Sequence, residues 1–232
     1  MDAFFLHPQQ GKFPAIIVWP DIAGYRDAFS SMGRRLAREG YTVLILNPYY
    51  ADKESPQFDD FEDFRDNGGM EKVTPWREKL TPATVMEIAK ATVAYLDGNE
   101  AVDTSKGIGV QGYCMGGPFA VWTAAAAPER VKAAASFHGG GLVGDAPDAP
   151  IKLIPATQAS YLIAIAKNDD ANAPGDKDAL KAAAQAAGRP AEIEVYQADH
   201  GWTVPDSPVY NEAEAERAWT RLLALYEGAL KA

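Results

Sequence analysis

Three residue types that together can break an acyl bond occur in one order along the chain: Cys114, then Asp169, then His200. A protonated thiol is a weak nucleophile, so Cys114 needs a base to take its proton or a positive field that favours the thiolate. His200 can serve as that base, and an acid can hold its imidazole in the productive tautomer and stabilise it when charged. Asp169 and Asp170 are adjacent, and one of them could simply cap the turn; Asp169 is preferred because it comes sooner after the apolar run before it. A tetrahedral oxyanion also needs two aimed donors. The candidates are the N–H of Met115, which follows the thiol, and the N–H of Ile22 in Trp19-Pro20-Asp21-Ile22-Ala23-Gly24.

The segment around Cys114 explains how a thiol could be presented. Gly107-Ile108-Gly109-Val110-Gln111 reads as a strand, and an alanine-rich helical run follows Gly112-Tyr113-Cys114-Met115-Gly116-Gly117. A residue at the tip of a sharp strand-to-helix turn is held in a strained conformation. Glycines two positions before and after it let neighbouring backbone pass without a Cβ clash. The following helix would place its positive end near the sulfur and favour the thiolate.

Apolar runs of strand length alternate with stretches of helical period over the whole chain, the pattern of an α/β domain built on a mostly parallel sheet with helices on both faces. Strands are predicted over 13–19, 41–46, 107–111, 131–137, 161–166 and 192–197. Helices are predicted over 26–39, from Thr81-Pro82 to about Leu96, over 115–126, 176–187 and from about Asn211 to Leu230. Residues 49–80 are too long for an ordinary connection and read as a functional excursion at the rim of the site. With no repeat and no linker, residues 1–232 are expected to form one domain. Cys114, Asp169 and His200 each follow a predicted strand, so all three should meet at the carboxyl edge of the sheet, where ligands collect in such folds.

Nucleophile, acid, histidine is also the chain order of the α/β-hydrolases. The residues resemble the dienelactone hydrolase family of that fold. The resemblance covers nearly the whole chain, through the Pro20–Gly24 turn, the elbow ending at Gly117, the acid after the Ile163 strand and Asp199-His200-Gly201-Trp202. It implies hydrolysis of a small ester or lactone through a thioester on Cys114, without metal or organic cofactor. It also implies a cysteine that stays quiet until substrate rearranges an acidic residue in the first turn, here Asp21, which on its own position could serve only that turn. The best-known members carry glutamate at Asp21 and a carboxylate-gripping arginine at Val204. Without that guanidinium a bidentate clamp is missing, which argues against dienelactone itself as substrate.

His138 ends its strand on the same edge before three glycines, and reads either as a substrate contact or as the mark of a tight turn. Trp202, Tyr49, Tyr50 and Trp76 either line an aromatic pocket or pin their loops to the core.

A 232-residue chain with 47% hydrophobic and 23% charged residues can bury a large core. A formal charge of −10 argues against nucleic acid, which requires a basic surface. The first residues show neither a basic signal region nor a membrane-length apolar run, and the lone cysteine suits a reducing compartment, so the expected location is the cytoplasm. Besides an esterase or lactonase, the same acyl-enzyme would serve an acyltransferase or thioesterase. A ligand-binding protein that has kept the fold and lost turnover is the alternative outside catalysis.

Overall fold

The computed structural model describes residues 2–231. Seven strands form one sheet: β1 Ala3–Leu6, β2 Ala15–Trp19, β3 Thr42–Leu46, β4 Ile108–Tyr113, β5 Val131–Phe137, β6 Ser160–Ala166 and β7 Ala191–Tyr196. Their order is β1-β3-β2-β4-β5-β6-β7, and only β1 runs antiparallel to its neighbour. The helices are α1 Asp27–Arg38, α2 Phe61–Asp66, α3 Gly69–Arg77, α4 Pro82–Asp97, α5 Gly116–Ala126, α6 Pro150–Leu153, α7 Lys167–Asn172, α8 Asp176–Ala186 and α9 Glu212–Tyr226.

The central strands are buried over their whole length, as their unbroken apolar runs require when both faces are covered. One core packs β2, β4 and β5 against α4 and α5, with Trp19, Val85, Leu96, Val110 and Phe119 at its centre. The other face packs against α1 and α9 through Phe29, Leu36, Tyr113, Leu222 and Tyr226. Local chemistry sets the helix starts. The Thr81 side chain accepts the Thr84 N–H ahead of Pro82, and Asn211 accepts the Glu214 N–H to open α9.

Register brings the strand ends together. Trp19 pairs with Gly112, Tyr113 with Phe137, Phe137 with Ala164 and Ala166 with Tyr196. Pro20–Ile22, Cys114, Asp169 and His200 therefore leave the sheet on one edge.

Residues 49–80 fold back over this edge. Tyr49, Phe58, Phe64 and Val73 make a small third core with Ala23, onto which Ile22, Trp76, Leu80 and Met115 pack. The sequence pattern missed α2 and α3 because their apolar residues face this local cluster. It also missed β1, which has only four residues, and α7, where the Asp-rich turn after β6 closes into a short helix.

The turn at Cys114 depends on close backbone passage. A Cβ on Gly112 would lie 1.8 Å from the Gly116 carbonyl oxygen, and a Cβ on Gly116 would lie 2.5 Å from the Trp19 carbonyl oxygen. Both neighbours are backbone and have little room to yield. Gly112→Ala is expected to cost at least about 3 kcal/mol of stability in urea unfolding, beyond the usual range for overpacking; a loss under about 1 kcal/mol would show that the turn can relax.

Candidate active site

Cys114 has φ 51, so the strand-to-helix turn holds a non-glycine residue in the left-handed region. Its N–H donates to the Phe137 carbonyl at 3.0 Å, and its own carbonyl accepts the Gly117 N–H at 3.0 Å. The turn is thus tied both to the neighbouring strand and to the helix after it. The half-buried Cys114 lines a cavity of about 710 Å³, and His200 lines the same cavity.

The loop after β7 brings His200 to the thiol, and α7 holds it from two sides. The His200 backbone N–H donates to Asn168 Oδ1 at 2.9 Å, while its ring Nδ1 donates to Asp169 Oδ2 at 2.8 Å. Nε2 is left as the nitrogen available to the thiol. Asp170 is engaged elsewhere, accepting from Lys177 Nζ at 2.7 Å. Burial by itself would lower the His200 pKa. The hydrogen bond to Asp169, the Cys114 side chain and the charges of both outweigh it and push the pKa up to about 10. At neutral pH the ring is an imidazolium that can stabilise negative charge on sulfur and give a proton to a leaving group.

Ile22 and Met115 both line the cavity, and neither N–H has an internal acceptor among the described residues. Tyr49 braces both residues from below, donating its hydroxyl to the Ile22 carbonyl at 2.8 Å and meeting the Met115 sulfur at 3.4 Å. Burial, with Asp21 nearby, raises the Tyr49 pKa, so the hydroxyl stays a donor.

Asp21 is buried, and its two oxygens take a bidentate pair from Arg26 at 2.8 and 2.9 Å while also accepting the Ala23 N–H at 3.0 Å. Arg26, itself buried, grips Asp206 at 2.6 and 2.9 Å, and Asp206 accepts the Phe61 N–H at 3.0 Å. Desolvation opposes charge on the guanidinium, but Asp21 and Asp206 more than offset it and raise its pKa. One cation therefore joins the turn bearing Ile22, the segment after His200 and the start of α2. The resemblance made Asp21 a group that rearranges beside the thiol; here its carboxylate is committed to Arg26.

The cavity walls come largely from α5 and from the 49–80 excursion, which stands at the rim as its length suggested. Met115, Pro118, Phe119 and Trp122 supply the apolar wall, with Leu80 and Ile22, and Thr74, Arg77 and Glu78 from the excursion form the polar rim. Positions 115, 118, 119 and 122 share one helix face, a spacing visible in the sequence but masked by the almost wholly apolar composition of α5. Among the aromatics singled out, Tyr49 is buried against Trp76 at 5.5 Å between ring centres, and Tyr50 is exposed. None of these lines the cavity. Trp202 is 0% exposed and His138 1%, and neither lines the cavity. Strand-end position predicted the level of these residues in the fold but not which way their side chains turn. Val204 is likewise buried in the core beneath the site.

Among the described residues, no cluster of three or more His, Cys, Asp or Glu side chains could hold a metal ion, and no helix is long and apolar enough to cross a membrane. Residues 1–230 match the family model of the dienelactone hydrolases. The chain belongs to the dienelactone hydrolase family. It is 29% identical over 217 residues to a Methylorubrum extorquens protein named carboxymethylenebutenolidase, covering 91% of this chain and 71% of that protein. A Synechocystis protein of the same name is 27% identical over 225 residues, covering 95% and 88%. A solved Klebsiella pneumoniae structure described as a dienelactone hydrolase superposes with a TM-score of 0.78 at 24% identity, over 97% of this chain and 91% of that one. The α/β-hydrolase fold and membership in a hydrolase family are thus established together.

Two outcomes follow. Activity should fall as pH rises through about 10, where His200 loses its proton, and Asp169→Asn should move that fall to lower pH because it removes the first of the contributions that raise the pKa. Asp170→Asn should leave the profile in place; equal shifts in the two variants would contradict the assignment. The sign for stability is the same: the gain from protonated His200 is complete below about 6.5 and is lost as pH rises through about 10. Arg26→Met strands two carboxylates and is expected to cost about 3–5 kcal/mol in denaturant unfolding; a change under about 1 kcal/mol would remove the cluster from the account.

Proposed function

We propose that this member of the dienelactone hydrolase family cleaves a small carboxylic ester or lactone through a thioester on Cys114, with His200 as the proton carrier and Asp169 as its orienting acid. The observation that carries this is a single imidazole, bonded at 2.8 Å to Asp169, that shares a cavity with the thiol and with two unused amide donors. The names of the Methylorubrum and Synechocystis relatives support the same class of bond.

In the first half-reaction the Cys114 sulfur forms a bond to the carbonyl carbon, and the carbonyl electron pair moves onto oxygen, where the Ile22 and Met115 N–H groups receive it. Collapse breaks the bond to the leaving alkoxide, which takes the His200 proton. In the second, His200 removes a proton from water, the hydroxide attacks the thioester, and the thiolate leaves as the acid is released. Exposed Thr74, Arg77 and Glu78 leave the rim open to solvent, which favours water over another acyl acceptor. Phe119, Trp122, Pro118 and Leu80 suit an acyl or alcohol part with an apolar face. Arg77 is the one cation on the polar rim, and Glu78 beside it keeps the rim near neutral.

Hydrolysis of p-nitrophenyl acetate by the wild type, Cys114→Ala and His200→Ala tests the assignment. Cys114→Ala should be inactive, and His200→Ala should lose about a hundredfold or more. Turnover by Cys114→Ala at the wild-type rate would reject the thiol as nucleophile.

A further inference from the structure

His138 has no part in the chemistry above, yet the fold strains itself to place it. Among the described residues only two non-glycine positions have positive φ: Cys114 at 51 and His138 at 41. Such a conformation is strained and persists only where the surroundings over-determine it. Several contacts do so here. The His138 N–H donates to the Ala164 carbonyl at 2.8 Å, and Nε2 is 2.9 Å from Thr203 Oγ1. The ring packs edge-on to Trp202 at 5.1 Å between centres, and Trp202 is stacked on Tyr196 at 5.2 Å.

The ring also meets Tyr113, at 6.2 Å between centres, and more closely His200, at 4.8 Å between centres and tilted by 59°. Asp169 fixes His200 at one nitrogen only, and a ring held by one hydrogen bond can still swing about that bond. A rigid body packed against the ring removes that freedom. His138 suits the place because histidine tolerates the left-handed backbone better than a branched or purely aromatic residue does. It also offers Thr203 a polar handle. Burial, and then the neighbouring His200, lower its pKa well below the ordinary histidine value, so it packs as a neutral ring beside the imidazolium.

The geometry points to His138 as a positioning residue: wedged between Trp202 and His200 and pinned by Thr203, it keeps the His200 ring at the angle where Nε2 meets the Cys114 thiol. The role rests on the reading of Cys114 and His200 as the reacting pair, and it requires no contact with substrate.

The test is the rate at which iodoacetamide alkylates Cys114 at neutral pH, measured beside kcat and KM for p-nitrophenyl acetate. His138→Asn keeps a residue that accepts positive φ and removes the ring. It should slow both alkylation and kcat by about tenfold or more while KM stays within about twofold, because misplacement of a reacting group acts on the chemical step. Thr203→Val keeps the ring, loses its pin and should give a smaller loss of the same sign. A folded His138→Asn that alkylates at the wild-type rate overturns the inference; should that variant fail to fold, an unchanged Thr203→Val overturns it. Turnover by Cys114→Ala would refute the catalytic reading itself, whereas an inactive Cys114→Ala beside an unaffected His138→Asn would refute the positioning role alone.

Discussion

The passage of β4 and α5 over one another at Gly112 and Gly116 is the constraint on which the site depends. Because Gly112 carries no Cβ, which would lie only 1.8 Å from the Gly116 carbonyl oxygen, the chain can turn from strand to helix within a few residues. That sharpness lifts Cys114 to the crest at φ 51 and leaves the Met115 amide without an internal partner. The strain is small against the support beneath it. β4 is paired on both sides by β2 and β5 and buried over its whole length, so relaxing the turn would mean disturbing the centre of the sheet.

Electrostatics in the site is local. The chain carries a net charge of −10, but charges farther apart than a Debye length of about 8 Å are largely screened in physiological salt. The state of His200 is set by Asp169 at 2.8 Å and by Cys114. The Asp21–Arg26–Asp206 cluster works at similar range, with a different result: none of its members lines the cavity, and it joins the segments that carry Ile22 and His200. Its two carboxylates and one guanidinium would be a costly arrangement without the bidentate geometry that satisfies every partner.

Strand runs and turn chemistry made the frame and three site positions legible in the sequence. Cys114 and Asp169 each follow an apolar run of strand length and His200 follows an alternating one, and parallel register puts the ends of such strands at one edge. What strand ends do not encode is side-chain direction. His138 and Trp202 stand at the right level and turn inward, while Phe119 and Trp122, in the first two turns of α5, face the cavity. Arg26 paired with Asp206 lies beyond sequence reasoning for another reason: the partners are 180 residues apart and only the folded loops bring them together. Asn168, which holds the His200 backbone, was within reach, since it sits beside Asp169 and has a side chain suited to bonding exposed backbone.

The most direct test of the central claim is a rapid acid quench of the enzyme mixed with p-nitrophenyl acetate, followed by intact-protein and peptide mass spectrometry. The account predicts a transient mass gain of one acetyl group that maps to the peptide containing Cys114 and is absent from Cys114→Ala. Steady turnover with no adduct at any quench time, or an adduct on another residue, would contradict it.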